Sequence, residues 1–368
     1  MAHRAAIVTW TSYRNFGTCL QAYALQRIVR GFGYRTCILD DSSIIAGFSK
    51  KRFSPLRWLG SRQWICPSRA GFIRHQQSSV AEYDAFRKNH LEMDSKWHLA
   101  ADRPSGYDIY IAGSDQIWSP NVPFSDYYYL AFADGRKVSY APSFGTSDIP
   151  DVHLKKIAPM ISDFDSLSVR EPVAASRIEE SLGLKAHVVA DPTLLMDSSG
   201  WDSLLAEDGM DAEYDGDGYA LCYLLSYNAQ YVSYVRRYCS RKGLRLKVMA
   251  VNEKMTGIGD EDVYAGPTGF IDAIRKAEVV FTDSFHGSIF SVLYRKNLLI
   301  FKRFASDSRI NQNSRVEFLV RRLGLTGRLV DASGLNDEWD SVAMDYDRVN
   351  EEVESFRTES LDYIKSML

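Results

Sequence analysis

The stretch EVVFTDSFHGSIFSVLYRKNLLIFK, residues 278–302, decides the fold. It opens on EVVFTDS, a short β-branched apolar run of the kind that forms a strand buried on both faces. GSIFSVLYRKN follows with helical length, and LLIFK reads as a second strand. Two strands joined through a helix predict a parallel pair, because parallel neighbours need a crossover connection of this kind. A histidine, His286, falls between Phe285 and Gly287, where the strand has ended and the helix must begin.

The same grammar extends outward in both directions. GYALCYLLS (218–226) and LRLKVMAV (244–251) read as strands, and AQYVSYVRRYCSRKG (229–243), GPTGFIDAIRKA (266–277) and SRVEFLVRRLGL (314–325) as helices. Earlier, AAIVTW (5–10), YRTCILD (34–40), DIYIAGSD (108–115), KVSYAPS (137–143), DSLSVRE (165–171) and AHVVADP (186–192) read as strands. TCLQAYALQRIVRGFG (18–33) reads as a helix that stops at Gly33. Alternating strands and helices predict an α/β protein with two Rossmann-like domains facing across a cleft. The expected division is an N-terminal domain at 1–198, an acidic linker at 199–218, a C-terminal domain at 219–345 and a closing helix at 346–368.

Composition bounds the function. The 368 residues are 45% hydrophobic and 25% charged, enough for sizeable cores. A net charge of −3 gives no general argument for nucleic-acid binding. The cysteines (Cys19, Cys37, Cys66, Cys222, Cys239) are scattered and make no CxxC pair, so no zinc site or disulfide framework is expected. The N-terminus turns polar too early for a signal peptide, and no apolar run approaches the ~20 residues that span a bilayer. A soluble, cytoplasmic protein is expected.

In open parallel sheets ligands bind beyond the carboxyl ends of the strands, so the residues there carry the functional reading. His286 can exchange protons with a substrate near neutral pH, and the helix start beside Asp283, Ser284 and Gly287 suits an anion. Gly113, Ser114, Asp115 and Gln116 end another strand and precede Trp118, a combination that suits sugar recognition as well as a plain turn. Arg170 closes the strand pattern SVRE, and Asn15 and Gly17 precede the first helix in NFG. No GxGxxG, P-loop, HExxH or GxSxG motif occurs, and no metal-ligand cluster appears.

These pieces, in this order, resemble the polysaccharide pyruvyl transferase family. The matching segments are NFGTCLQAYAL, DIYIAGSDQIW, KVSYAPSFG, SVRE, VVADPTLL, AEVVFTDSFHGSIFS and SRI at 308–310. The resemblance implies a fold like that of GT-B glycosyltransferases. It implies transfer of a pyruvyl group from phosphoenolpyruvate to two hydroxyls of a surface polysaccharide or its lipid-linked precursor, giving a pyruvate ketal with no cofactor. His286 is then the expected general acid/base, with Arg170 and Arg309 as anion clamps on phosphoenolpyruvate. One departure stands out: other branches carry arginine two residues before this histidine, and here that residue is Ser284. Arg309, Lys302 and Arg303 are the cations nearby in sequence that could compensate. The alternatives are a GT-B glycosyltransferase using a nucleotide sugar, and a catalytically silent glycan-binding protein of a polysaccharide assembly.

One segment lies outside the resemblance. From Ser42 to Ala81 there is no acidic residue, while Lys50, Lys51, Arg52, Arg57, Arg62, Arg69 and Arg74 alternate with Phe48, Phe53, Trp58, Trp64 and Phe72. A loop-rich basic-aromatic insert at 42–81 suits the anionic inner face of a membrane, where a lipid-linked acceptor would reside.

Overall fold

The computed structural model describes residues 3–51, 67–94, 106–210, 218–304 and 312–368. The chain divides into two α/β units. The first comprises Met1–Trp64, Ala85–Leu195 and Phe356–Leu368, and the second Ile65–Asp84 and Met196–Ser355.

The first unit is built on β1 (Arg4–Val8), β2 (Arg35–Leu39), β3 (Met93–Asp94), β4 (Ile109–Ala112) and β5 (Arg136–Ser139), in the order β3-β2-β1-β4-β5. All neighbours are parallel. In β1 the residues from Ala5 to Val8 are all buried, as are all four of β4. That absence of alternation is what coverage on both faces requires. The helix Phe16–Gly31 carries the chain from β1 to β2, and Gly33 (φ +90°) makes the turn into β2 in a conformation that favours glycine. The strands expected around SVRE and HVV are only two residues long. As β6 (Ser168–Val169) and β7 (His187–Val188) they pair with each other in a separate small sheet. The end of the last helix, Tyr346–Met367, packs here: Ser360 Oγ accepts from Ala190 N at 2.8 Å and Arg357 Nε donates to Leu194 O at 2.9 Å.

The second unit holds β8 (Tyr219–Tyr223), β9 (Arg245–Met249), β10 (Glu261–Val263), β11 (Val279–Thr282), β12 (Asn297–Phe301) and β13 (Leu329–Val330). Their order is β10-β9-β8-β11-β12-β13, again all parallel. Aromatic packing fills one face, with Phe281 stacked on Phe301 and Phe301 on Tyr231. In both sheets the chain steps outward from the first strand, then returns to its other side. The reversal falls between β1 and β4 in one unit and between β8 and β11 in the other. Such switch points leave a crevice at the strands' carboxyl ends.

Two expectations are corrected. The acidic linker at 199–218 begins as a helix, Ser198–Glu207, capped by Asp197 accepting from Gly200 N at 2.8 Å. It buries Trp201, Leu204 and Leu205, a helical spacing hidden by the acidic surroundings. The insert is not loop throughout: Ser42–Lys51 and Pro67–His90 are helical. Its centre, residues 52–66, and the side chains of 49–78 lie outside the described residues. Among the described residues no helix is long and apolar enough to cross a membrane.

Candidate active site

The switch point of the second unit is assembled by side chains that knit strand ends together. Thr282 Oγ1 donates to Tyr223 O at 2.8 Å and accepts from Ser284 N at 3.0 Å. Ser284 Oγ then accepts from Gly287 N at 3.2 Å and caps the helix Phe285–Leu293. Asp283, buried at the end of β11, accepts from Leu225 N at 2.6 Å and Ser226 N at 3.3 Å in the loop after β8. Burial pushes its carboxyl up to about 6. The Leu225 and Ser226 N–H groups and the Arg303 guanidinium oppose that rise. His286 opens the helix at 8% exposure, with Phe285 edge-on to its ring.

These contacts revise three expected roles. Asp283 spends its carboxylate on the neighbouring loop, and Ser284 spends its hydroxyl on the helix cap. Gly287 does not give a ligand access to the backbone: a Cβ there would lie 2.6 Å from Thr282 Oγ1 and 3.1 Å from Tyr223 Cδ1. The glycine lets the helix sit close on β8 and β11. Gly287→Ala is therefore expected to cost about 1–3 kcal/mol by overpacking, because Thr282 is held by two hydrogen bonds and cannot yield. Urea unfolding would check it; an unchanged midpoint would mean that the helix start relaxes freely.

The first unit has the matching arrangement between β1 and β4. Gly113 N donates to Val8 O at 2.8 Å, and Thr9 Oγ1 donates to Ser114 O at 2.8 Å. Asp115 accepts from Thr18 Oγ1 at 2.5 Å and from Gln116 N at 2.8 Å. Its φ of +69° and that of Ala141 (+55°) are strained for non-glycine residues, each costing on the order of 1–2 kcal/mol. Ser143 N, donating to Asp115 O at 2.8 Å, helps hold this geometry. Gln116 is half-buried against Gly145. Asn15 accepts from Thr18 N at 3.3 Å and caps the first helix, with Gly17 buried in its first turn. Trp118 is no sugar platform: it is 0% exposed, stacked on Tyr129, and donates Nε1 to Tyr128 O.

Arg170 also departs from expectation. At 2% exposure its Nη1 donates to Asp191 Oδ2 at 2.6 Å, and its Nε lies 3.4 Å from Glu171 Oε1. Burial alone would push the guanidinium pKa down; Asp191, Glu171 and Asp115 reverse this and hold it above its usual value. Asp191 further accepts from Ser114 Oγ, Thr193 N and Thr193 Oγ1, and Ser143 donates to Glu171. The charge expected to clamp a substrate anion is answered within the unit. Arg309, the other expected clamp, lies outside the described residues.

Sequence reasoning passed over three contributors. Asp41, just past β2, is buried and accepts from Thr11 N and Oγ1, Ser12 N and Oγ, and Tyr128 OH. It fixes the loop after β1 as Asp283 fixes the loop after β8; the doublet Asp40–Asp41 at a strand end was the available signal. Ser226 meets Asp283 and Arg303, and Asp191 meets Ser114 and Arg170, all partners distant in sequence. A cavity of about 490 Å³, lined by residues such as Leu325, Arg328, Val330 and Trp339, lies beside edge strand β13 and shares no residue with the switch point. Among the described residues no cluster of His, Cys, Asp and Glu is placed to hold a metal ion.

The two parallel sheets with central switch points define a GT-B-like protein. Solved structures are similar to the chain along most of its length. Staphylococcus aureus MnaA with UDP matches at 11% identity, covering 100% of this chain and 98% of that one, with a TM-score of 0.50. The UDP-GlcNAc 2-epimerase of Methanocaldococcus jannaschii matches at 11% identity, 96% and 92% coverage and a TM-score of 0.47. Acinetobacter baumannii MurG matches at 10% identity, 99% and 98% coverage and a TM-score of 0.43. No curated protein sequence matches the chain. The sequence model of the polysaccharide pyruvyl transferase family matches residues 15–303, and the chain belongs to that family.

Proposed function

We propose that the protein transfers a pyruvyl group from phosphoenolpyruvate to a diol of a polysaccharide or its lipid-linked precursor, forming a ketal. Family membership across residues 15–303 is the observation that carries this reading. In the reaction one sugar hydroxyl adds to C2 of phosphoenolpyruvate while C3 gains a proton. The second hydroxyl then displaces phosphate from C2, each hydroxyl losing its proton. His286 is the group proposed to move the proton at C3. The donor belongs at the second unit's switch point and the acceptor at the first's. Residues 113–116 would line the acceptor side.

A nucleotide-sugar glycosyltransferase is the second reading, favoured by the fold shared with a UDP-bound protein. Ser284 keeps a third in play, a catalytically silent glycan-binding protein. Melting temperature discriminates the three. A rise with phosphoenolpyruvate and none with UDP-sugars supports pyruvyl transfer, and the converse pattern overturns it. A rise with glycan alone indicates the silent binder.

We further propose that the insert at 42–81 brings the enzyme to a membrane surface. Its support is compositional, since each basic side chain near an anionic leaflet contributes about 1 kcal/mol. The protein is expected to bind vesicles containing acidic lipid and to be released by salt. Changing Lys50, Lys51, Arg52 and Arg57 to Gln should abolish that binding and slow reaction with a lipid-linked acceptor while sparing a short soluble one. Equal activity on both acceptors, with no vesicle binding at low salt, would leave the insert a structural excursion.

A further inference from the structure

We propose that Arg303 is the cation that binds the phosphate or carboxylate of the donor, at the strand end where other branches of the family carry an arginine and this chain has Ser284. This deepens the pyruvyl-transfer reading and rests on it.

The argument starts from strand order. β11 lies between β8 and β12. Arg303 follows β12, yet its Nε donates to Ser226 Oγ at 2.9 Å, and Ser226 belongs to the loop after β8. Neighbouring strands lie about 4.8 Å apart, so a side chain that links the two outer loops must cross the end of the strand between them. That end carries Asp283 and Ser284, and then the first turn with His286. The guanidinium is thereby brought to the carboxyl end of β11, where its field reaches Asp283.

Arg303 is also built in. Asn313, buried at the start of the helix Asn313–Arg322, accepts from Arg303 N and Phe304 N at 3.1 Å each and donates to Phe304 O at 2.7 Å. Ser226, which receives the Arg303 Nε, is itself held through its N–H by Asp283. The Phe304 ring lies 5.0 Å below the guanidinium. With Nε fixed by Ser226, the two Nη groups remain to meet an anion in a fork.

Its charge is available. Arg303 forms no ion pair with any described residue. Lys302, by contrast, is paired with Glu317 at 3.2 Å, and Arg170 in the other unit is enclosed by carboxylates. Asp283 senses the guanidinium, but its oxygens are committed to Leu225 N and Ser226 N. A half-buried arginine with positioned donors and no carboxylate of its own is suited to a ligand anion.

The test is calorimetric titration of the whole chain with phosphoenolpyruvate, and separately with UDP-GlcNAc, in wild type, Arg303→Gln, Arg303→Lys and the control Lys302→Gln. Arg303→Gln should weaken phosphoenolpyruvate binding tenfold or more and raise KM more than it lowers kcat. Arg303→Lys, which keeps the charge but not the fork, should fall between it and wild type and guards against a folding defect. Lys302→Gln should bind as wild type does. Wild-type binding of phosphoenolpyruvate with equal affinity in both Arg303 variants overturns this assignment and leaves the reaction standing. Binding of UDP-GlcNAc alone, lost in Arg303→Gln, supports Arg303 as the phosphate ligand and overturns pyruvyl transfer. No binding of either by wild type overturns both.

Discussion

Replacing Arg170 with alanine should lower the free energy of unfolding by about 3–5 kcal/mol, because it leaves buried carboxylates without their counter-charge. For a unit of this size that is on the order of 10 °C in Tm. Asp191 and Glu171 contact the guanidinium, and Asp115 adds to the same local field. None of the three is more than 5% exposed, so water cannot take over from the arginine. Arg170→Ala combined with Asp191→Asn should recover part of the loss, since one uncompensated charge is then gone. Denaturant unfolding of the single and double variants measures both. A loss below about 1 kcal/mol, accompanied by weaker phosphoenolpyruvate binding, would restore Arg170 as a substrate clamp.

His286→Ala should lower turnover by ~10² or more, the usual size of a general acid/base contribution. The histidine stands at the start of the helix Phe285–Leu293, beyond the carboxyl end of β11 and beside the switch point. Since the side chain is largely buried, alanine also removes some packing, and His286→Gln, which keeps more of the volume, serves as the second variant. Both should fold and both should be slow, with affinity for phosphoenolpyruvate little changed. Near-full turnover in either would remove His286 from proton transfer and leave it as a packed residue of the turn.

The fold was legible because buried parallel strands announce themselves as unbroken apolar runs. AAIV, IYIA and VVFT are buried at every position, and each ends in polar residues that sit at a switch point. The places of His286 and of residues 113–116 followed from that rule alone. What those residues touch did not. Arg170 looks like a solitary strand-end cation until β6 and β7 bring Asp191 beside it, and no local pattern announces that pairing. Gly287 looks like an opening for ligand until Thr282 and Tyr223 fill the space. Trp118 looks like a sugar platform until the tyrosines of 127–129 cover it. Edge strands of two or three residues, such as β3, β10 and β13, carry too little periodicity to be seen. The helix Ser198–Glu207 was masked by its acidic neighbours.

The most direct measurement incubates the protein with phosphoenolpyruvate and a panel of methyl glycosides presenting 1,2- and 1,3-diols, alongside lipid-linked oligosaccharides. It follows released phosphate and the acceptor's mass together. Pyruvyl transfer predicts phosphate in one-to-one proportion with an acceptor that has gained the mass of pyruvic acid less one water. Sugar transfer from a UDP-sugar to the same acceptors, with phosphoenolpyruvate inert, would contradict it.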